Sequence, residues 1–216
     1  MDRRAFLTTG TSAWAALTVS TNQTFADSEA VVHKTWNQAT GRHILQLNHN
    51  SNPLGLPPTA RTAILETLAE VPHYPRARRG QLRARLAALH GLSDEQVILG
   101  AGSTELIRCA VQAYASPESR ILQADPTYEN AMEYGEPFPY HLEKVALTND
   151  SAHDIDRMSA MAARWQEPTL VYICNPHNPT GTLTPSAAVD EWIASAQDNV
   201  FFIIDEAYFP FVNDPS

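Results

Sequence analysis

The sequence predicts an α/β chain whose core is a mostly parallel sheet with helices on both faces. Three observations carry that expectation. The apolar runs at 169–174 and 200–204 are continuous rather than alternating, which is how strands buried on both faces read. Stretches with helical spacing separate these runs along the chain. Distinctive polar residues follow the runs directly, where an open α/β sheet binds its ligands.

Composition sets the outer bounds. The chain has 216 residues, with 15 Lys+Arg against 24 Asp+Glu, a net charge of −9 and a pI near 5.3. At 44% hydrophobic it has material for a sizeable core in one or two domains. An acidic chain is a poor general nucleic-acid binder, because that affinity rests on neutralising phosphates. No apolar run is long enough to span a bilayer. The two cysteines, Cys109 and Cys174, give no disulfide framework, and the expectation is two buried free thiols, with a single disulfide as the alternative. No metal site is expected.

The N-terminus reads as an address. Asp2-Arg3-Arg4-Ala5-Phe6-Leu7 resembles the twin-arginine export motif, in which an Arg pair precedes a Phe-Leu pair. A mildly apolar stretch follows from Ala5 to Val19, and Thr24-Phe25-Ala26 sets small residues where a signal peptidase reads. Residues 1–26 are therefore expected to be a signal peptide and the protein to be exported or periplasmic. The alternative is a frayed helix at the start of a cytoplasmic protein.

The elements follow in order. Residues 44–47 read as a short strand and 48–56 as an Asn-, Pro- and Gly-containing loop. Residues 59–68 have helical spacing, with Ile64, Leu65 and Leu68 on one side, and His73-Tyr74-Pro75 breaks the pattern. A second amphipathic helix runs over 81–90, with Leu82, Leu86 and Leu89 as its stripe and Gly91 as its cap. Ser93-x-x-Gln96 reads as a capping box. The apolar run 97–99 reads as a strand, followed by Gly100-Ala101-Gly102-Ser103 and a helix over 104–114. Then come a strand at 120–124, Asp125-Pro126-Thr127-Tyr128 with a short helix after it, a strand at 141–147 and a helix at 155–165. The strand 169–174 leads into Asn175-Pro176-His177-Asn178-Pro179-Thr180-Gly181. A helix at 185–196 and the strand 200–204, ended by Asp205, close the series.

Four strand ends carry candidate chemistry. Gly102, Ser103 and Thr104 open a helix, where free N–H groups and the helix dipole suit a phosphate, although such an opening also serves simple capping. No Gly-Lys-Ser/Thr follows, so this is not a P-loop, and a third glycine is missing for a dinucleotide fingerprint. Asp205 ends a strand of five apolar residues, where a carboxylate is costly unless paired, so it reads as a partner for a buried cation or as a turn cap. Tyr208 lies three residues on and can return its hydroxyl to the same place. Asn178 sits in a loop stiffened by two prolines. Tyr128 follows Pro126 and offers a flat ring, or a core tyrosine.

The joint order Gly-Ser-Thr-Glu, Asp-Pro-Thr-Tyr, Asn-Pro-His-Asn-Pro-Thr-Gly and Asp-Glu-Ala-Tyr resembles fold-type I pyridoxal-phosphate enzymes. More narrowly, it resembles class I/II aminotransferases near the histidinol-phosphate branch, over roughly residues 42 to 212. Leu47-Asn48-x-Asn50-Ser51-Asn52-Pro53-Leu54-Gly55 and Tyr74-Pro75 resemble that branch's N-terminal segment, with Ser51 where the family usually has an acid. The resemblance implies pyridoxal 5′-phosphate as cofactor. Backbone N–H groups at Gly102, Ser103 and Thr104 would hold its phosphate, and Tyr128 would stack on its ring. Asn178 and Tyr208 would bond its phenolic oxygen, and Asp205 would pair with its protonated ring nitrogen. Asp205 and Tyr208 are the implied catalytic residues. Tyr74 would reach the phosphate of a neighbouring subunit, which implies a homodimer, and Asn50 and Asn52 would lie against substrate.

The family's Schiff-base lysine lies well downstream of Asp-Glu-Ala-Tyr. The chain stops at Ser216 and its only lysines, Lys34 and Lys144, do not match that position. The expectation is a C-terminally truncated chain. A signal peptide over 1–26 would precede an N-terminal arm and part of a small domain over 27–75. An incomplete cofactor-binding large domain would follow over 76–216. The function expected is transfer of an amino group between an amino acid, or an amino-alcohol phosphate, and a 2-oxo acid. The alternatives are a lyase or decarboxylase of the same fold, or a catalytically dead cofactor-binding fragment. The truncated chain by itself is expected to be inactive.

Overall fold

A computed structural model describes residues 34–37, 42–45, 49–52, 55–128 and 140–213. Residues 1–26, the expected signal peptide, lie outside them. The described residues form two compact units, one ending at Val97 and the other starting at Ile98.

In the N-terminal unit, β1 (Lys34–Asn37) pairs antiparallel with β2 (Arg42–Leu45), with Lys34 opposite Leu45 and Asn37 opposite Arg42. The strand expected at 44–47 thus begins two residues earlier, and its partner carries no apolar run to announce it. Helix α1 (Pro58–Thr67) starts with Pro58 at its first position, where the missing N–H costs nothing, and runs into one 3₁₀ turn, Leu68–Glu70. Helix α2 (Arg76–Leu89) begins five residues before the expected start, because the chain after Pro75 is rich in helix-forming Arg and Ala. Arg78 forks onto Glu70, Nε to Oε2 at 2.7 Å and Nη2 to Oε1 at 2.6 Å. Gly91 adopts φ +64° past the helix end, and Leu92 N–H returns to Ala87 O at 2.8 Å. The capping box is present at a 3₁₀ turn, with Ser93 N–H on Gln96 Oε1 at 3.0 Å. Ile64, Leu65, Leu68, Leu82 and Leu89 are all exposed, so neither helix buries its apolar stripe among the described residues.

The C-terminal unit holds the sheet. Helix α3 (Ser103–Tyr114) is followed by β3 (Arg120–Asp125), β4 (His141–Ala146), α4 (Ile155–Ala162), β5 (Thr169–Cys174), α5 (Ser186–Ser195) and β6 (Val200–Asp205). The strands lie in the order β4-β3-β5-β6, all parallel. Leu122, Val145, Val171, Ile173 and Val200 turn to one face and meet Met158 and Ala162 of α4 and Val189 and Trp192 of α5. Ile121, Leu170, Tyr172 and Cys174 turn to the other and meet Ile107 and Val111 of α3. The sheet is covered on both faces, as the continuous apolar runs require.

Three expectations change. Residues 97–99 are not a strand: the segment joins no ladder, and Ile98 is exposed. The helix expected over 155–165 ends at Ala162, where its last turn tightens to i→i+3 bonds, Arg164 N–H to Met161 O and Trp165 N–H to Ala162 O, both at 3.1 Å. Both cysteines are free, but only Cys174 is buried; Cys109 lies off the Ile107–Val111 stripe of α3 and is exposed. The short helix expected after Tyr128 falls in 129–139, outside the described residues.

Candidate functional site

The topology makes a crevice. From β3 the chain moves outward to β4, and from β5 it moves outward the other way to β6. The loops after β3 and β5 therefore diverge at a switch point, and ligands of open α/β sheets sit there. The unit places Gly102–Thr104, Tyr128, Asn178, Asp205 and Tyr208 around the carboxyl ends of these strands and the start of α3.

Asp205 is the last residue of β6, opposite Cys174 in the ladder, and it is buried. Its carboxylate is not orphaned. Tyr172 donates its hydroxyl to Oδ2 at 2.9 Å, and Ala207 N–H donates to Oδ1 at 3.1 Å. Burial, then the Asp205 charge, holds the Tyr172 phenol well above its ordinary pKa, so it stays a donor. Burial likewise pushes the Cys174 thiol up. The carboxylate thus stands ready-formed at a strand end, with two donors and room on its lone pairs for a cation.

Gly102 stands at the N-cap of α3 with φ +83° and ψ 169°, a region open essentially only to glycine. That turn points the backbone N–H groups of Ser103 and Thr104 out of the helix. Glu105 folds back to accept from Ala101 N–H. Tyr128 is half-buried against the α3-side cluster, and its hydroxyl lies 3.0 Å from Thr104 Oγ1. The first turn of α3 and the aromatic ring are therefore linked directly. Thr127 beside it is buried, and its hydroxyl has no hydrogen-bond partner among the described residues.

Asn178 lies half-buried in a loop with a tied base. Asn175 Oδ1 accepts from Thr184 N–H at 2.9 Å, and Asn175 Nδ2 donates to Thr184 O at 2.9 Å. Asn175 N–H also donates to Asp205 O at 2.9 Å, joining this loop to the end of β6. Tyr208 is half-buried and precedes the 3₁₀ turn Phe209–Phe211. Asn50, Asn52 and Tyr74 all belong to the N-terminal unit, where they are exposed. Tyr172, His177 and His153 escaped the sequence reading. Alternation along β5 places Tyr172 on the Cys174 face, but its partner lies 33 residues away and no local pattern shows it.

Comparison with known proteins finds similarity over most of the chain. A family model described as aminotransferase class I and II matches residues 42–216. A histidinol-phosphate aminotransferase 1 of Cupriavidus pinatubonensis is 33% identical over 175 residues, covering 79% of this chain and 45% of that protein. A histidinol-phosphate aminotransferase of Sphingopyxis alaskensis is 36% identical over 176 residues, covering 79% and 46%. Among solved structures, one from Erwinia carotovora atroseptica, provisionally named a histidinol-phosphate aminotransferase, shares 39% identity at a TM-score of 0.75, covering 78% of this chain and 49% of its own. The chain spans just under half the length of the curated relatives it matches.

Proposed function

The chain belongs to the class I and II aminotransferase family, and from that premise we propose that it carries the cofactor seat of a pyridoxal-phosphate-dependent aminotransferase. The observation that carries the reading is Asp205, a buried carboxylate fixed at a strand end by Tyr172 and Ala207. The residues fit the cofactor. A glycine-capped helix start suits its phosphate, the Tyr128 ring suits its face, and Asp205 suits a protonated ring nitrogen. When bound, the cofactor supplies an electron sink for the substrate's α-carbon. Asp205 holds the ring-nitrogen proton in place, and Asn178 and Tyr208 orient the ring through its phenolic oxygen. Tyr128 keeps water from one face.

The relatives are named as aminotransferases, which favours amino-group transfer over the lyase or decarboxylase alternative. The substrates proposed are a 2-oxo acid with an amino acid or amino-alcohol phosphate, and histidinol phosphate is the donor to try first, because relatives carry its name. A lysine matching the family's is found at neither Lys34 nor Lys144, and Lys144 is engaged with Asp125 at 3.3 Å. The proposal is that these 216 residues bind cofactor but do not complete transamination alone. Export rests on the Arg3-Arg4 motif. A homodimer rests on Tyr74 and on the exposed apolar stripes of α1 and α2.

The test is calorimetric binding of pyridoxine 5′-phosphate, which cannot form an imine with surface amines. One site per chain is expected, with affinity lost at least tenfold in Asp205→Ala. Absence of binding at millimolar ligand, or equal binding by Asp205→Ala, overturns the reading. In a chain extended to the family's full length, Asp205→Ala should abolish transamination.

A further inference from the structure

Two histidines lie buried behind the Asn178 loop and take no part in the seat. The His153 and His177 rings meet edge to face, with centroids 4.7 Å apart. His153, from the segment entering α4, places Nδ1 2.9 Å from Thr184 Oγ1. His177 places Nδ1 2.7 Å from Thr180 Oγ1. The same stretch is stitched to the loop after β4. Thr180 and Thr182 both donate to Ser151 O, at 3.0 and 2.7 Å. His177 is also pinned by its backbone, its N–H on Thr182 O at 2.8 Å and its carbonyl on Gly181 N–H at 2.8 Å.

We propose that His153 and His177 are positioning residues for Asn178: as a neutral pair they clamp the 175–184 loop against the loop after β4. The proposal rests on the reading that Asn178 touches the cofactor. Asn178 follows His177 directly, so whatever fixes the His177 backbone and ring fixes where the Asn178 amide starts. The clamp requires neutral rings. His153 Nε2 is buried with no partner among the described residues, so a second proton there would find no acceptor. Burial, then the His177 ring, lowers His153 to about 4. Burial also lowers His177, against the pull of the Pro126 carbonyl. The carboxylate next in the chain, Asp154, is engaged with Arg157 N–H as the cap of α4. The Asp205 charge acts on Cys174 and Tyr172 rather than on either histidine. Acid should therefore open this loop before it opens the sheet.

The experiment follows histidine ring protons by NMR in the full chain from pH 7.5 to 4, with amide exchange measured in parallel. The protection factors of the Asn178, Thr180 and Thr182 amides, taken against the intrinsic exchange rate at each pH, should fall at least tenfold as His153 titrates, while those of Ile121 and Val171 stay high. His153→Gln retains a hydrogen-bonding tip but does not titrate, and its loop should stay closed through the same window. A loop that stays protected after His153 titrates, that opens only together with β3 and β5, or that opens identically in His153→Gln overturns the proposal. If His153→Gln does not fold, the wild-type titration decides alone. Pyridoxine 5′-phosphate affinity, compared between the two proteins at pH 7.5 and 4.5, should fall at least threefold further in the wild type. No binding at any pH would overturn the cofactor reading, and the exchange data would still judge the clamp.

Discussion

Tyr172 and Asp205 are joined by a hydrogen bond of 2.9 Å between neighbouring parallel strands, with both residues buried on the α3 side of the sheet. It is the means by which a buried carboxylate is held at the end of an apolar strand. A hydrogen bond to a charged acceptor contributes about 1.5–3 kcal/mol. Tyr172→Phe keeps the ring and removes the donor. The expected loss of stability is about 2 kcal/mol, measured by denaturant unfolding. Weaker binding of pyridoxine 5′-phosphate should accompany it. An unchanged unfolding midpoint would remove Tyr172 from the support of Asp205.

The Thr104–Tyr128 bond makes a second prediction. Thr104→Val keeps the shape of the side chain and leaves every backbone N–H of the α3 start in place. Only the 3.0 Å contact is lost. A neutral hydrogen bond of this kind is worth about 1 kcal/mol, so ligand affinity should fall by less than tenfold. Tyr128→Ala removes the ring as well and should cost more. Equal losses in the two variants would mean that the hydroxyl, not the ring, is what the seat uses.

Gly102 separates backbone strain from crowding. A Cβ built there meets nothing within 4 Å, yet its φ is +83°. Gly102→Ala should therefore destabilise through conformation alone, by about 1–3 kcal/mol. At Gly100 the problem is opposite: a Cβ would sit 2.8 Å from Leu106 Cδ2 at ordinary backbone angles. The check is thermal unfolding of both variants with and without pyridoxine 5′-phosphate. The ligand should protect Gly100→Ala more than Gly102→Ala, because only Gly102 caps the helix start that takes the phosphate.

These predictions show which parts of the molecule local sequence can reveal. Thr169–Cys174 was legible as a strand to the residue, because six consecutive buried positions leave no other reading. The Val97–Leu99 run has the same apolar character and is not a strand, since strandedness belongs to the ladder and not to the segment. The polar residues at the strand ends were legible because turns and caps have their own chemistry. Tyr172 and the two histidines were not. Their partners lie across strands and between loops, and a buried polar side chain looks like any core residue until its acceptor is in view. The α1 and α2 stripes were legible as amphipathic, but periodicity does not say what covers a face.

The pH dependence of stability follows from the buried histidines. In the unfolded chain His153 would titrate near 6.5, and in the fold it is lowered to about 4. Between those values the unfolded state binds a proton that the folded state refuses. Stability is therefore fully present above about pH 6.5 and falls as the pH drops toward 4, where the loss levels off. His177 shifts in the same direction and steepens the fall. The limiting slope is about 1.4 kcal/mol per pH unit for each proton taken up. Glu70 and Glu167 are lowered by Arg78 and by backbone and Arg120 hydrogen bonds respectively, but both are solvent-exposed and screened, so they add little. Denaturant midpoints measured every half unit from pH 7.5 to 4 should thus decline mainly below 6.5. In His153→Gln the decline should be shallower by up to one proton. A variant as acid-sensitive as the wild type would mean that the carboxylates, not this histidine, set the acid limit of the fold.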